Sequence, residues 1–241
     1  MQTYRLAVRS VVDQKFALTA KVAAVKDIFG RWGFDYEITV DYLWYGWPSK
    51  LAGFIEIANT LPKEYTHLMF VDAADVVVLG PPEQVMERWL RFNRPWVYNA
   101  EPFIWSPGSF QPEDYPTPDV KYRYLNAGAS IGEVAHIRQC FDKWTDGGKT
   151  PPLCVKGDQD WMAARYLKDY PDAITLDTGC ELFQCMCGSQ AGDDETKHLV
   201  EVTPGCVYNR VTGTKPLVIH FNGGTDISMP ERTGLWKPYL A

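Results

Sequence analysis

The chain has 241 residues, a formal net charge of −6 and a hydrophobic content of 46%. That is enough for one large domain whose core needs no disulfide support. The acidic balance does not favour a dedicated nucleic-acid binder, and no apolar run reaches the ~20 residues of a membrane span. No signal-peptide pattern opens the sequence, so a soluble, cytoplasmic protein is expected.

In chain order, residues 4–12 read as a first strand, and residues 14–32 as a helix ending at Gly33. Residues 36–40 alternate as a second strand. The aromatic loop Trp44-Tyr45-Gly46-Trp47-Pro48-Ser49-Lys50 follows, then a helix over 50–60 and an apolar strand over 67–71. This β-α-β-α-β order predicts a parallel sheet with helices on both faces. A helix over 82–92 and a strand over 96–100 come next. Residues 101–121 hold five prolines and read as a long functional loop. A small-residue strand over 124–132, helices over 133–145 and 158–169, a short strand over 173–176 and a buried strand over 217–220 complete the pattern. Residues 188–198 are polar and acidic and predict an exposed loop.

The six cysteines are Cys140, Cys154, Cys180, Cys185, Cys187 and Cys206. The Cys185-Met186-Cys187 spacing fits neither a thioredoxin motif nor a zinc knuckle. Mostly free, partly buried thiols are expected, with a disulfide between the Cys180–Cys187 cluster and Cys206 left open.

The most informative segment is His67-Leu68-Met69-Phe70-Val71-Asp72-Ala73-Ala74-Asp75-Val76. A buried strand that delivers two carboxylates to its C-terminal edge suits Mg²⁺ or Mn²⁺, whose shells are completed by substrate phosphates. Ligands of open α/β sheets sit at that edge. Three distant pieces join it: Asn126-Ala127-Gly128, Gly157-Asp158-Gln159-Asp160, and His220 followed by Phe221-Asn222-Gly223-Gly224. An imidazole can complete a Mn²⁺ shell, and amides around Gly223 and Gly224 could bind phosphate oxygens. Plainer accounts stand beside each. Aspartates favour strand ends, Asp158 suits an N-cap, Lys50 suits an exposed helix start, and the glycine pair suits a turn.

The order of these pieces resembles the metal-dependent GT-A glycosyltransferases. More closely, it resembles the glycosyltransferase domain of the procollagen lysyl hydroxylases and the related collagen glucosyl- and galactosyltransferases. The matching segments are Leu68 to Val76, Asn99-Ala100-Glu101 with Trp105 and Pro107, Tyr115-Pro116, Tyr124 to Gly132, Asp158-Gln159, Leu176-Asp177 with Cys180, Phe183 and Gln184, and Val218 to His220 with Asn222-Gly223. The resemblance implies an α/β fold of GT-A type, Rossmann-like, with a mostly parallel twisted sheet flanked by helices on both faces. It implies one glycosyltransferase domain over 1–241, with a nucleotide-binding part of about 1–100 and an acceptor-loop and donor-sugar part of about 101–241.

By the same resemblance, Asp72, Asp75 and His220 are the ligands of Mn²⁺ (or Mg²⁺). Asn126, Gly128, Asp158 and Gln159 contact the sugar of the UDP-sugar donor, Lys50 neutralises charge on its diphosphate, and Trp105 lies on a gating loop. Asp158 or Asp160 acts on the sugar. The implied reaction moves a hexose to an acceptor hydroxyl, on a hydroxylysine-type side chain, a glycan, or a hydroxymethylated pyrimidine in DNA. Departures are plain: Ala74 stands where the family often has a stacking aromatic, Phe221 where it has Gly, and Asp226 where it often has a basic residue. Base stacking then falls to Trp44, Tyr45 or Trp47. The rival readings are a non-catalytic sugar-nucleotide or glycan-binding protein, and a metal-dependent phosphohydrolase.

Overall fold

A computed structural model describes residues 4–105, 109–145, 157–169, 172–187 and 199–222. The elements are β1 (Leu6–Asp13), α1 (Gln14–Ala17), α2 (Ala20–Arg31), β2 (Asp35–Asp41), α3 (Trp47–Thr60), β3 (His67–Val71), β4 (Val76–Val78), α4 (Pro82–Arg91), β5 (Trp96–Glu101), β6 (Tyr124–Glu133), α5 (Val134–Trp144), α6 (Asp158–Asp169), β7 (Thr175–Leu176), β8 (Phe183–Cys185), β9 (Val200–Thr203), β10 (Cys206–Asn209) and β11 (Val218–His220). None of the described helices is long and apolar enough to cross a membrane.

The central sheet runs β2-β1-β3-β6-β5-β7. Only β6 is antiparallel to its neighbours, so the sheet is mostly parallel, as expected. All five residues of β3 are buried. Leu68 and Phe70 join one core with Leu51 and Phe54 of α3, Phe141 of α5 and Met162 of α6. Met69 and Val71 join the other, with Val25 and Phe29 of α2 and Val85 and Trp89 of α4. A strand covered on both faces reads as a continuous apolar run rather than an alternating one. Phe54 stacks on Phe70 with centroids 4.2 Å apart, fixing α3 over the strand.

The structure corrects several sequence expectations. The helix over 14–32 is two helices, because Thr19 accepts the Val22 N–H and starts a new one. Asp13 caps the first by accepting the Lys15 and Phe16 N–H groups. Helix α3 begins at Trp47, not at residue 50: Gly46, at φ +107°, turns the chain and Pro48 fits the first turn. The strands β4 and β8 flank β11 in a second sheet, and β9 pairs with β10 in a hairpin; these short strands escaped the sequence reading. The loop over 101–121 is partly tied down, with a 3₁₀ turn at Pro112–Asp114 and Tyr115 buried. The 188–198 segment and Gly223-Gly224 lie outside the described residues. The described cysteines are all free thiols.

Candidate active site at the carboxyl end of strand β3

The two sheets meet where β3 ends. The Asp72 N–H donates to the Gly128 carbonyl at 2.8 Å, so the chain leaves β3 still attached to β6. It turns through Ala73 and Ala74 and enters β4, which pairs antiparallel with β11 so that Val76 faces His220. The Phe221 N–H donates to the Asp75 carbonyl at 2.8 Å. Register alone therefore brings a late histidine beside both early aspartates. His220 Nε2 lies 3.4 Å from Asp72 Oδ2 and 3.5 Å from Asp75 Oδ2.

The tautomer of His220 follows from its neighbours. Asn126 Oδ1 accepts the Gly128 N–H at 2.9 Å, which identifies that atom as the oxygen. The same oxygen lies 2.9 Å from His220 Nδ1, so Nδ1 must carry the proton it donates. Nε2 then faces two carboxylates, and Asp75 Oδ1 is buried with no hydrogen-bond partner among the described residues. Such a group of acceptors calls for a cation. Burial opposes charge on His220, but the Asp75 and Asp72 carboxylates outweigh it and lift its pKa to about 10. A metal-ligating imidazole usually gives one ring nitrogen to the metal and donates its other ring N–H to a fixed acceptor, the place that Asn126 Oδ1 takes here. The three ligand atoms lie within 4.8 Å of one another.

Lys50 is not an exposed helix-start lysine. It is 6% exposed, and its Nζ lies 2.5 Å from Asp72 Oδ1 and 2.9 Å from Asp158 Oδ2. Burial works against its charge, but Asp158 and Asp72 hold its pKa above the ordinary lysine value. Burial also disfavours charge on Asp72, yet Lys50 and His220 hold it below the usual carboxylate range. Asp158 keeps a raised pKa, because burial outweighs the pull of Lys50. Lys50 thus ties the start of α6 to the end of β3.

Gln159 points the other way along α6. Its Oε1 accepts the Ala127 N–H at 3.0 Å and its Nε2 donates to Glu101 Oε1 at 2.7 Å. Asn126 and Gln159 therefore hold the small-residue stretch 126–128 from both sides. Asp160 Oδ2 has no partner among the described residues. Glu101 is the participant that sequence reasoning passed over. It is 3% exposed and accepts from Gln159 and, at 2.9 Å, from Asn222 Nδ2. Burial raises its pKa to about 7. The only sequence signal was an acid ending an apolar strand, the same signal that marked Asp72.

The resemblance implies a donor contact at Gly128. A Cβ there would meet His220 Cε1 at 1.9 Å, so the space is filled by the imidazole. Trp105 is 52% exposed on its loop. A cavity of about 380 Å³ adjoins Asp72, Ala73, Ala74 and Asp75, with Trp44, Trp47 and Lys50 in its wall. A wider cleft of about 580 Å³ lies at the opposite end of β3, around His67 and Trp89, away from the acidic cluster.

Comparison with known proteins bears on the family and the fold. The PLOD GT domain, a glycosyltransferase domain, matches residues 55–233. Procollagen-lysine,2-oxoglutarate 5-dioxygenase 2 of Mus musculus is 30% identical over 167 residues, covering 66% of this chain and 21% of that protein. The multifunctional procollagen lysine hydroxylase and glycosyltransferase LH3 of Homo sapiens is 26% identical over 181 residues, covering 72% of this chain and 23% of its own length. The chain thus spans about a fifth of the length of these relatives. The galactosyltransferase LgtC, solved with donor and acceptor sugar analogs, has a TM-score of 0.53 at 11% identity, over 98% of this chain and 96% of that one. Mouse xyloside xylosyltransferase 1 has a TM-score of 0.54 at 11% identity, over 92% of this chain and 98% of that one. These two show the fold, which is GT-A. Its sheet, the order of its motifs and the match over most of its length place the chain in the family of PLOD glycosyltransferase domains.

Proposed function

We propose that the chain is a single metal-dependent glycosyltransferase domain that moves a hexose from a UDP-sugar to an acceptor hydroxyl. Asp72, Asp75 and His220 hold Mn²⁺ (or Mg²⁺). The observation that carries this is the His220 tautomer fixed by Asn126, with Nε2 turned to two carboxylates beside an unpartnered Asp75 oxygen. The ion supplies positive charge against the diphosphate leaving group.

The chain's own residues do the rest. The cavity beside Ala73 and Ala74 receives the nucleotide, and Trp44 and Trp47 in its wall offer the stacking face that Ala74 lacks. Lys50 keeps Asp72 ionised and holds Asp158 at the start of α6. Gln159 and Asn126 order the backbone at Ala127 and Gly128 on the sugar side. Asp158 and Asp160 act on the donor sugar, and the free Asp160 oxygen is available to its hydroxyls. Gly223 and Gly224, which follow β11, are assigned to the phosphates, and the exposed Trp105 to the rim where acceptor enters. The acceptor class, by family, is a hydroxylysine-type side chain; a hydroxymethylated pyrimidine in DNA is the alternative.

The test is calorimetric titration with UDP, in Mn²⁺ and in chelator, on the wild type and on Asp75→Ala. Binding is expected only with the metal and only in the wild type, with the variant's melting curve unchanged. Equal binding by the variant would remove Asp75 from the site.

A further inference from the structure

A second ligand cluster lies on the far side of Glu101, and the donor-site chemistry does not use it. Strand β8 carries Cys185 at its end. Cys187 follows two residues later with φ +45°, and its N–H is fixed on Asn222 Oδ1 at 3.0 Å. Strand β5 brings Asn99 and Glu101, two residues apart and so on one face. The register of β5 against β6 shifts between Tyr98 and Asn99, the kind of irregularity that re-aims side chains. As a result Cys185 Sγ, Cys187 Sγ and a Glu101 carboxylate oxygen lie within 4.8 Å of one another, all buried. Cys187 Sγ is 3.7 Å from Glu101 Oε2.

We infer that Cys185, Cys187 and Glu101 form a second cation site, built for a thiophilic divalent ion, Zn²⁺. Three further observations support it. Each sulfur receives a side-chain amide N–H: Asn99 Nδ2 to Cys185 Sγ at 3.0 Å, and Asn222 Nδ2 to Cys187 Sγ at 3.3 Å. Amide donors around sulfur are the outer support that metal thiolates use. Asn99 is fully buried and its Oδ1 has no partner among the described residues. Cys185, Cys187 and Glu101 offer two sulfur donors and one oxygen donor, three of the four positions around a tetrahedral zinc ion. Zn–S and Zn–O bonds of about 2.3 and 2.1 Å place such donors roughly 3.5–4 Å apart, which the Cys187–Glu101 distance already meets.

Two sulfurs make the cluster a poor home for Mg²⁺ or Mn²⁺, so it is chemically distinct from the Asp72–Asp75–His220 group. Loading releases the thiol protons to solvent as the Zn–S bonds form, with no change of oxidation state. Glu101 Oε1 is already bonded to Gln159, which holds Ala127. A cation on Oε2 therefore pins the strut beneath the sugar side. Buried on all three residues, the site is assigned a structural role.

The test uses the full chain, reduced and stripped with chelator, titrated with Co²⁺ alone. One equivalent is expected to give a near-ultraviolet sulfur-to-cobalt charge-transfer band that Zn²⁺ bleaches. Cys185→Ser and Cys187→Ser should each lose the band, and Asp75→Asn should keep it. Zinc-edge X-ray absorption on the wild-type one-to-one complex needs no variant and should read two sulfur neighbours. No band in the wild type, a band surviving both serine variants, or zinc without sulfur neighbours each overturns the assignment.

Discussion

Two histidines sit at opposite ends of strand β3 and are equally buried, His67 at 4% and His220 at 3% exposure. Their charges are opposite in tendency. His67 lies edge-on to Tyr4 and Trp89, with centroids 5.3 and 4.6 Å away, and burial alone lowers its pKa to about 4. His220 lies against two carboxylates and is raised to about 10. Burial does not decide the charge of an imidazole; the groups that share its pocket do. The aromatic end of β3 is arranged for a neutral ring, and the acidic end gathers its charged side chains around two carboxylates.

That contrast can be broken most severely at Lys50. Lys50→Met leaves Asp72 and Asp158 buried without their shared cation, and stripping one member of a buried ion pair costs about 3–5 kcal/mol. Denaturant unfolding in chelator should show a loss of that size; a change under about 1 kcal/mol would mean the carboxylates relax freely into water. Gly128→Ala comes next. The added methyl meets the His220 ring at 1.9 Å, and overpacking of this kind costs about 1–3 kcal/mol. The variant should fold, yet lose Mn²⁺-dependent UDP binding by calorimetry; retained binding would show that the imidazole is dispensable.

Asn126→Ala removes the acceptor that fixes the His220 tautomer, so cation affinity should fall by about 10–100-fold. Competition against a metal-sensitive dye reads this directly, and an unchanged affinity would deny Asn126 its orienting role. The gentlest change sharpens the other end. His67 has a pKa lowered from 6.5 to about 4, so the unfolded chain takes up its proton first as pH falls. The stability it contributes is present above pH 6.5 and is lost on the way down to about pH 4. His67→Phe should flatten that part of the stability–pH curve and leave UDP binding alone. An unaltered slope would show that His67 is protonated in the fold.

Much of this was legible in the chain because β3 is buried on both faces. A continuous apolar run ending in acids announces its own terminus, and small residues at 126–132 announce close packing. What stayed hidden depends on pairings between distant segments. Nothing local says that β6 runs antiparallel, that Lys50 is buried between two acids, or that the room at Gly128 belongs to His220. The Leu18–Thr19 break did carry a signal, a threonine able to cap, but the apolar spacing on either side masked it. Glu101 was quoted with its strand, yet its role comes from Gln159 and Asn222, neither of them a neighbour in sequence.

The pairing of β11 with β4 also has a consequence for how the protein is born. The aspartates emerge early in synthesis and the imidazole late, and only the closing of that last antiparallel pair brings them together. Until then the acidic loop has neither its histidine nor the Phe221 N–H that holds the Asp75 backbone. On the proposed reading, the three metal ligands are therefore not assembled on a half-made sheet. On that reading ligand binding would report that long-range assembly has finished, and ligand supplied during refolding should stabilise the final step and none before it.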